Sequence, residues 1–264
     1  MKILYKNFIK SFEFLFSNWK YLLFGVLSDF LFLVSIFTIW FFVSNKLIEN
    51  YNILQEMAGS INPESVTAGG LQTLSGQLDV INNTIKGIYI YLFIFVLLIF
   101  VSFVLFNGFS WLITKFIVNK EKFRIKLDYF IKFSGLSLVL LLFLLLLFYF
   151  IFQAVSEDVN AKLILDIFVI TYIIIWIYFA ALSYAYYVKD EKFWKSLKNA
   201  FFSGIKRIYI FVPLFVIIGF VFFVLSLLFS IFINIPFFFI IPLIVFLVLC
   251  IWARIYLLLV VKEV

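Results

Sequence analysis

Apolar runs and short polar interruptions alternate along the whole chain. A helix needs about 20 predominantly apolar residues to cross a bilayer. Six runs reach or approach that length: Tyr21–Val43, Gly87–Val118, Leu136–Phe152, Leu163–Val188, Ile208–Ile233 and Pro236–Val261. The turn between the last two, Asn234-Ile235-Pro236, is short, with a proline where a first helical turn accepts one. The pattern predicts an all-α, polytopic membrane protein, a single integral membrane domain over 1–264.

The interruptions repeat. Val118-Asn119-Lys120-Glu121-Lys122-Phe123 returns as Val188-Lys189-Asp190-Glu191-Lys192-Phe193, and a shorter echo, Val261-Lys262-Glu263, closes the chain. A second echo precedes the first span of each unit: Phe16-Ser17-Asn18, Phe133-Ser134-Gly135 and Phe202-Ser203-Gly204. This predicts three units, about 1–119, 120–189 and 190–264, each an amphipathic helix, a cap and a transmembrane hairpin. Helical spacing puts Leu4, Phe8, Phe12, Leu15 and Trp19 on one face, then Phe123, Leu127, Phe130, Ile131 and Ser134, then Trp194, Leu197, Phe201 and Ile205. Lysines fill much of the remainder. Such helices lie among lipid headgroups, where each basic residue contributes about 1 kcal/mol on anionic lipid. Lys6, Lys10, Lys126, Lys132, Lys195 and Lys198 are the candidate contacts. A pure insertion-and-orientation role and a specific lipid or partner role are both open on this pattern. Asn18, Gly135 and Gly204 suit left-handed caps that turn the chain into the membrane.

One sizeable loop, 45–86, has a pattern of its own. Leu71, Leu74, Leu78, Ile81, Ile85 and Ile88 recur three and four apart, a heptad seam leading into the second span. Leu47, Tyr51, Leu54 and Ala58 prolong the first span, and Gly59 to Gly70 reads as a turn. A helical hairpin is expected, each arm about 20 Å long. Asn82-Asn83-Thr84 within it is a glycosylation sequon.

Charge sets the orientation. The N-terminus, the 115–135 and 189–207 linkers and the C-terminus together carry 17 Lys and Arg, whereas the opposite flanks carry 3. The positive-inside rule places both termini in the cytoplasm and loop 45–86 outside, in the cell membrane. There is no His, which removes the commonest general base and metal ligand. The lone Cys250 lies in an apolar run and reads as a small core residue. No cofactor is expected, and nothing points to nucleic acid.

Ionisable residues inside spans are costly and mark candidate sites. Asp29 lies nine residues after Lys20, and Arg254 eight before Lys262, so both should sit about 12–14 Å from the same face. Equal depth and opposite sign predict an intramembrane ion pair joining the first unit to the third. The rival arrangement has Arg254 snorkelling to the surface and Asp29 protonated or capped by Ser28 or Ser35. Asn107, Gly108 and Ser110 form a polar notch in the second span, suited to a neighbouring helix or a headgroup. Asp166 reads as a first-turn residue favouring the helix dipole. The sequence carries no metal helix, nucleophile elbow or phosphate loop.

Lys6-Asn7-Phe8-Ile9-Lys10-Ser11 before the first span, and Trp252-Ala253-Arg254 followed by Val-Lys-Glu at the end, carry a resemblance. The chain resembles uncharacterised prokaryotic six-helix membrane protein families related to the membrane domain fused to some glycerophosphodiester phosphodiesterases. The resemblance implies architecture and not the phosphodiesterase activity, whose soluble domain has no counterpart in this sequence. The expected function is a non-enzymatic multi-pass membrane protein: a membrane-organising, lipid-interacting or partner-binding scaffold. Its partners would be membrane lipids, anionic ones included, other membrane proteins or a second copy of the chain. The competing expectation is a small transporter or permease subunit with a polar cavity around Asp29, Asn107 and Arg254.

Overall fold

A computed structural model describes residues 2–60, 70–120, 124–153, 159–232 and 240–264, and every regular element among them is helical. In order these are α1 (Lys2–Ser17), α2 (Trp19–Ser60), α3 (Gly70–Ser102), a π-helical turn (Phe103–Asn107), α4 (Gly108–Asn119), α5 (Leu127–Gln153), α6 (Val159–Asp190), α7 (Phe193–Lys206), α8 (Ile208–Phe232) and α9 (Ile240–Glu263). Six segments are long and apolar enough to cross a membrane: Trp19–Met57, Leu78–Asn119, Leu127–Leu146, Leu165–Asp190, Ile208–Ser230 and Ile240–Glu263. Helix is the form such runs must take, because lipid offers backbone N–H and C=O groups no partner.

The chain divides into two compact units, Met1–Phe30 with Val104–Val264, and Leu31–Phe103. In the first, α4, α6 and α9 pack against one another in all three pairs. They supply much of the fully buried core: Ile113 and Ile117; Leu182, Ala185 and Tyr187; Trp252, Ile255, Tyr256 and Leu258. Helix α9 is the central one, with 56% of its apolar window buried against 28% or less in the other five spans. Helix α1 packs on α9, α5 on α6 and α7, α7 also on α6 and α8, and α8 on α9.

Several local expectations are corrected. The stretch 123–134 is not a separate helix: α5 runs unbroken from Leu127, and Phe123 lies outside the described residues. Gly135 is interior to α5 and Gly204 to α7, and no described glycine has positive φ. Among the described residues the left-handed ones are Lys120 (φ 55°) and Glu191 (φ 52°), both inside copies of the hexamer. Helices α4 and α6 therefore each end within a copy of the hexamer, where the apolar run ends. At Asn18 the chain makes a single turn residue, and the Asn18 side chain donates to Phe14 O at 3.1 Å. Asp166 sits well inside α6 and is exposed, so the first-turn role does not apply.

Of the two short helices, α1 docks largely through its expected face, whereas that of α7 is shifted. On α1 the buried residues are Leu4, Asn7, Ser11 and Leu15, with Phe8 and Phe12 half-buried against Trp252 and Trp19 exposed. On α7 they are Ser196, Ala200 and Gly204, while Trp194, Phe201 and Ile205 point outward. Small residues every fourth position let α7 lie close to α6. A Cβ on Gly204 would meet Leu182 and Phe179 side-chain atoms at 3.1 Å.

In the second unit α2 and α3 touch through rings, Phe32 with Phe103 at 5.9 Å and Trp40 with Phe95 at 5.8 Å. Farther along, Asn50 lies against Gly87. Residue numbers fall on one helix as they rise on the other, so the two run antiparallel. The heptad seam is rotated from expectation: Leu78 and Ile85 are exposed, and Thr84 is buried with its hydroxyl on Val80 O. Of the turn expected from Gly59 to Gly70, residues 61–69 lie outside the described residues, as do the side chains of Leu71 and Leu74, while Gly59, Ser60 and Gly70 are helical. Asn82 is exposed on α3.

Candidate functional site

Asp29 on α2 and Arg254 on α9 meet. Arg254 Nη1 donates to Asp29 Oδ2 at 2.8 Å and Nη2 to Oδ1 at 3.0 Å, a two-pronged guanidinium–carboxylate pair. Ser110 on α4 donates its hydroxyl to the same Oδ1 at 2.7 Å. The Asp29 side chain is 9% exposed and that of Arg254 17%. A carboxylate this enclosed needs a matched cation and donors on its remaining lone pairs, and both are present here. Gly25, one turn before Asp29, leaves room for Ile251, whose Cδ1 would lie 2.7 Å from a Cβ placed there.

The polar notch divides. Ser110 joins the ion pair, and Thr114 donates to Ser110 O at 2.9 Å. Asn107 does not join: its half-buried side chain leaves Oδ1 enclosed and without a hydrogen-bond partner. It closes the π-helical turn, whose register shift leaves a carbonyl without its usual helical donor. Phe106 O accepts the Ser28 hydroxyl at 2.8 Å. Ser28 thus serves the backbone of the neighbouring helix and not Asp29.

The three copies of the echo converge in space. Lys115, just before the first, pairs with Glu191 of the second. Lys189 of the second donates to Val261 O of the third at 2.9 Å. Lys262 of the third donates to Asn119 of the first. The contacts close a ring at the ends of α4, α6 and α9. Beside it Lys6 and Asn7 both bond Glu263, at 3.2 and 3.0 Å, fastening α1 to the C-terminus.

The six candidate lipid-contacting lysines have different surroundings. Lys6 pairs with Glu263, Lys132 with Asp128, and Lys195 with Asp190 at 3.3 Å. Lys10 lies 5.8 Å from the Phe14 ring and Lys198 5.9 Å from that of Phe202. Lys126 lines a cavity of about 210 Å³ with Lys115, Arg124, Tyr129 and Glu191. Sequence reasoning did not find this cavity, because its walls come from three separate segments.

Two larger apolar cavities flank α7. One, of about 590 Å³, is bounded by Leu140, Trp176, Phe179, Leu197 and Phe201. The other, of about 660 Å³, is bounded by Ile175, Tyr178, Phe201, Ile208 and Phe215. Neither Asp29 nor Arg254 lines any of these cavities. The hydroxyls of α6 are largely committed: Tyr172, Tyr178, Tyr184 and Tyr187 donate to Phe143 O, Gly204 O, Ser137 Oγ and Tyr129 O.

Fold and site together define an all-helical protein of the multi-pass membrane type. No family model, no curated protein and no solved structure matches the chain.

Proposed function

We propose that this chain is a non-enzymatic multi-pass membrane scaffold whose working surface is its cytoplasmic headgroup face. It would interact there with lipid, anionic lipid included, or with other membrane proteins or a second copy of itself. The observation that carries the reading is the pair of apolar cavities beside α7. Their volumes lie in the roughly 300–1,000 Å³ range of small-ligand sites, and their linings suit acyl chains. Trp194 lines the first of them and, like Phe202, Lys195 and Lys198 of the same helix, is exposed. Aromatic and basic groups together favour a headgroup boundary. The ion pair supports the same reading from the other side, because Asp29 and Arg254 satisfy each other.

Architecture belongs to the proposal as well. Three hairpin units, with α1 and α7 as amphipathic cytoplasmic helices before the first and third, account for the ring of echoes and for the mutual packing of α4, α6 and α9. The excess of Lys and Arg at that end places it, and both termini, in the cytoplasm, with 45–86 outside. Kinship with the families named above rests on the short motifs at 6–11 and 252–254 and is part of the same proposal.

A second reading, a transporter or permease subunit, draws on Asn107. A buried oxygen without a donor, next to a π-helical turn, is a feature that occurs at functional sites.

Purification in native-like lipid followed by native mass spectrometry tests the scaffold. The expected spectrum keeps lipid or a partner protein on the chain, and replacing Trp176 and Phe201 by Ala lowers lipid retention. A chain that carries neither lipid nor partner, in wild type and variant alike, contradicts it.

A further inference from the structure

The smallest of the cavities described above differs from the others in chemistry. Its walls are Leu112, Lys115 and Phe116 of α4, Arg124 and Lys126 of the linker, Tyr129 in the first turns of α5, and Glu191 after α6. It carries three cations against one carboxylate. That carboxylate is occupied, since Glu191 is paired with Lys115, whose side chain is 15% exposed. The side chains of Arg124 and Lys126 have no hydrogen bond or ion pair among the described residues and are exposed. Tyr129 is 4% exposed, and its enclosed hydroxyl has no partner. A buried hydroxyl without an acceptor costs about 1–3 kcal/mol.

The surroundings fix the hydroxyl and do not satisfy it. Tyr129 stacks on Phe133 at 6.0 Å, and its backbone carbonyl accepts the Tyr187 hydroxyl at 2.7 Å. The nearby carboxylate of Asp128 is held by Lys132 and does not line the cavity. Glu191 sits in a left-handed backbone conformation, φ 52°, which non-glycine residues adopt at a cost. Two free cations line a space too small for a drug-sized ligand, and the unpartnered hydroxyl of Tyr129, one of its wall residues, lies enclosed. An arginine beside a lysine is the pairing that recognises phosphate, the first by its planar fork and the second as a point charge. The positive end of the α5 dipole adds to the field.

We propose that this cavity binds a phosphate group, either a phosphomonoester in solution or the phosphate of an anionic phospholipid headgroup. Arg124 and Lys126 hold the phosphate oxygens, and the Tyr129 hydroxyl donates to one of them. Glu191 limits the affinity by repulsion while keeping Lys115 in place. The inference shares with the preceding section only the assignment of this end of the molecule to the headgroup level, and the two fail separately.

The test uses the full chain in phosphatidylcholine nanodiscs doped with phosphatidylglycerol, and native mass spectrometry counts the phosphatidylglycerol retained. In parallel, inorganic phosphate and glycerol 3-phosphate are titrated against the detergent-solubilised chain and followed by thermal shift. The wild type should hold one tightly retained anion more than Arg124→Gln/Lys126→Gln, whose melting temperature without ligand should be unchanged because both residues are exposed. Binding to that variant should be roughly tenfold weaker, as loss of charge-assisted contacts implies. Tyr129→Phe should weaken binding less, and Glu191→Gln should strengthen it. Phosphatidylglycerol retained without response to the soluble phosphates identifies the lipid; competition by the soluble phosphates identifies a phosphomonoester. Lys10→Gln/Lys198→Gln should leave the tight anion in place. If Arg124→Gln/Lys126→Gln and Glu191→Gln both bind as the wild type does, the site does not exist. The same conclusion follows if Lys10→Gln/Lys198→Gln loses the anion equally, since binding is then diffuse.

Discussion

At the residue scale the chemistry turns on how an aspartate and an arginine survive in an apolar protein. Asp29 accepts from both Arg254 nitrogens and from Ser110, so each charge is matched within 3.0 Å. Removing one member leaves the other buried and unpaired, a loss of about 3–5 kcal/mol, whereas replacing both with apolar residues of similar size is often neutral. Asp29→Ala and Arg254→Ala should each unfold far more readily than the wild type in detergent melts, and Asp29→Leu/Arg254→Met should recover most of the loss. Ser110→Ala, which removes one hydrogen bond to the carboxylate, should cost about 1.5–3 kcal/mol in the same assay. Gly25→Val should crowd Ile251 and cost about 1–3 kcal/mol, partly restored by Ile251→Ala.

The pair was legible in the sequence because depth follows directly from counting 1.5 Å per residue from the flanking lysines. Ser110 was legible as polar, but its partner was not. Gly25 left no signal: a glycine in an apolar run has many reasons to be there, and only the position of Ile251 distinguishes them. Arg124, Tyr129 and Glu191 were invisible as a group for a similar reason, being separated in sequence and joined only by the packing of α4, α5 and α6.

At the element scale, the period of the apolar pattern identified the helices and much of the buried face of α1, but misjudged the face that α7 buries. In water the apolar face of a helix turns inward; in a lipid environment the large apolar side chains are as well placed outside. Small residues then decide the contact, because they alone allow backbones to approach. That explains why α7 docks through Ser196, Ala200 and Gly204 while Trp194 and Phe202 stay exposed. It also explains why α1 buries Asn7 and Ser11. The same logic accounts for Gly135, which the chain passes through as ordinary helix because no turn is required there. Gly204→Leu should therefore detach α7 from α6, whereas Ile205→Leu on the exposed face should not. Hydrogen exchange at the amides of α7 reads the difference: faster in the first variant and unchanged in the second.

At the scale of the whole molecule, the echoes noticed along the chain are contacts in space. Lys115–Glu191, Lys189–Val261 and Lys262–Asn119 link the ends of α4, α6 and α9 in a closed circuit. Sequence alone marked the copies, but no single copy contains the information that each would bond the next. Lys189→Gln/Lys262→Gln should open the circuit and lower the melting temperature by more than either single change, with α1 loosening as Glu263 moves. The proposed orientation is tested at the same end of the molecule. In a Cys250→Ala background, cysteines at Lys10 and Lys198 should react with an impermeant maleimide only from the cytoplasmic side, and one at Tyr51 only from the other.

The central claim is that the interior polar groups are structural and that the interacting surface lies at the headgroup face. Native mass spectrometry of the wild type and Asp29→Leu/Arg254→Met, both purified in native-like lipid, addresses it most directly. The double variant should fold and carry the same lipids or partner as the wild type. A stably folded double variant that has lost a molecule bound by the wild type would contradict the claim and make Asp29 and Arg254 a binding site.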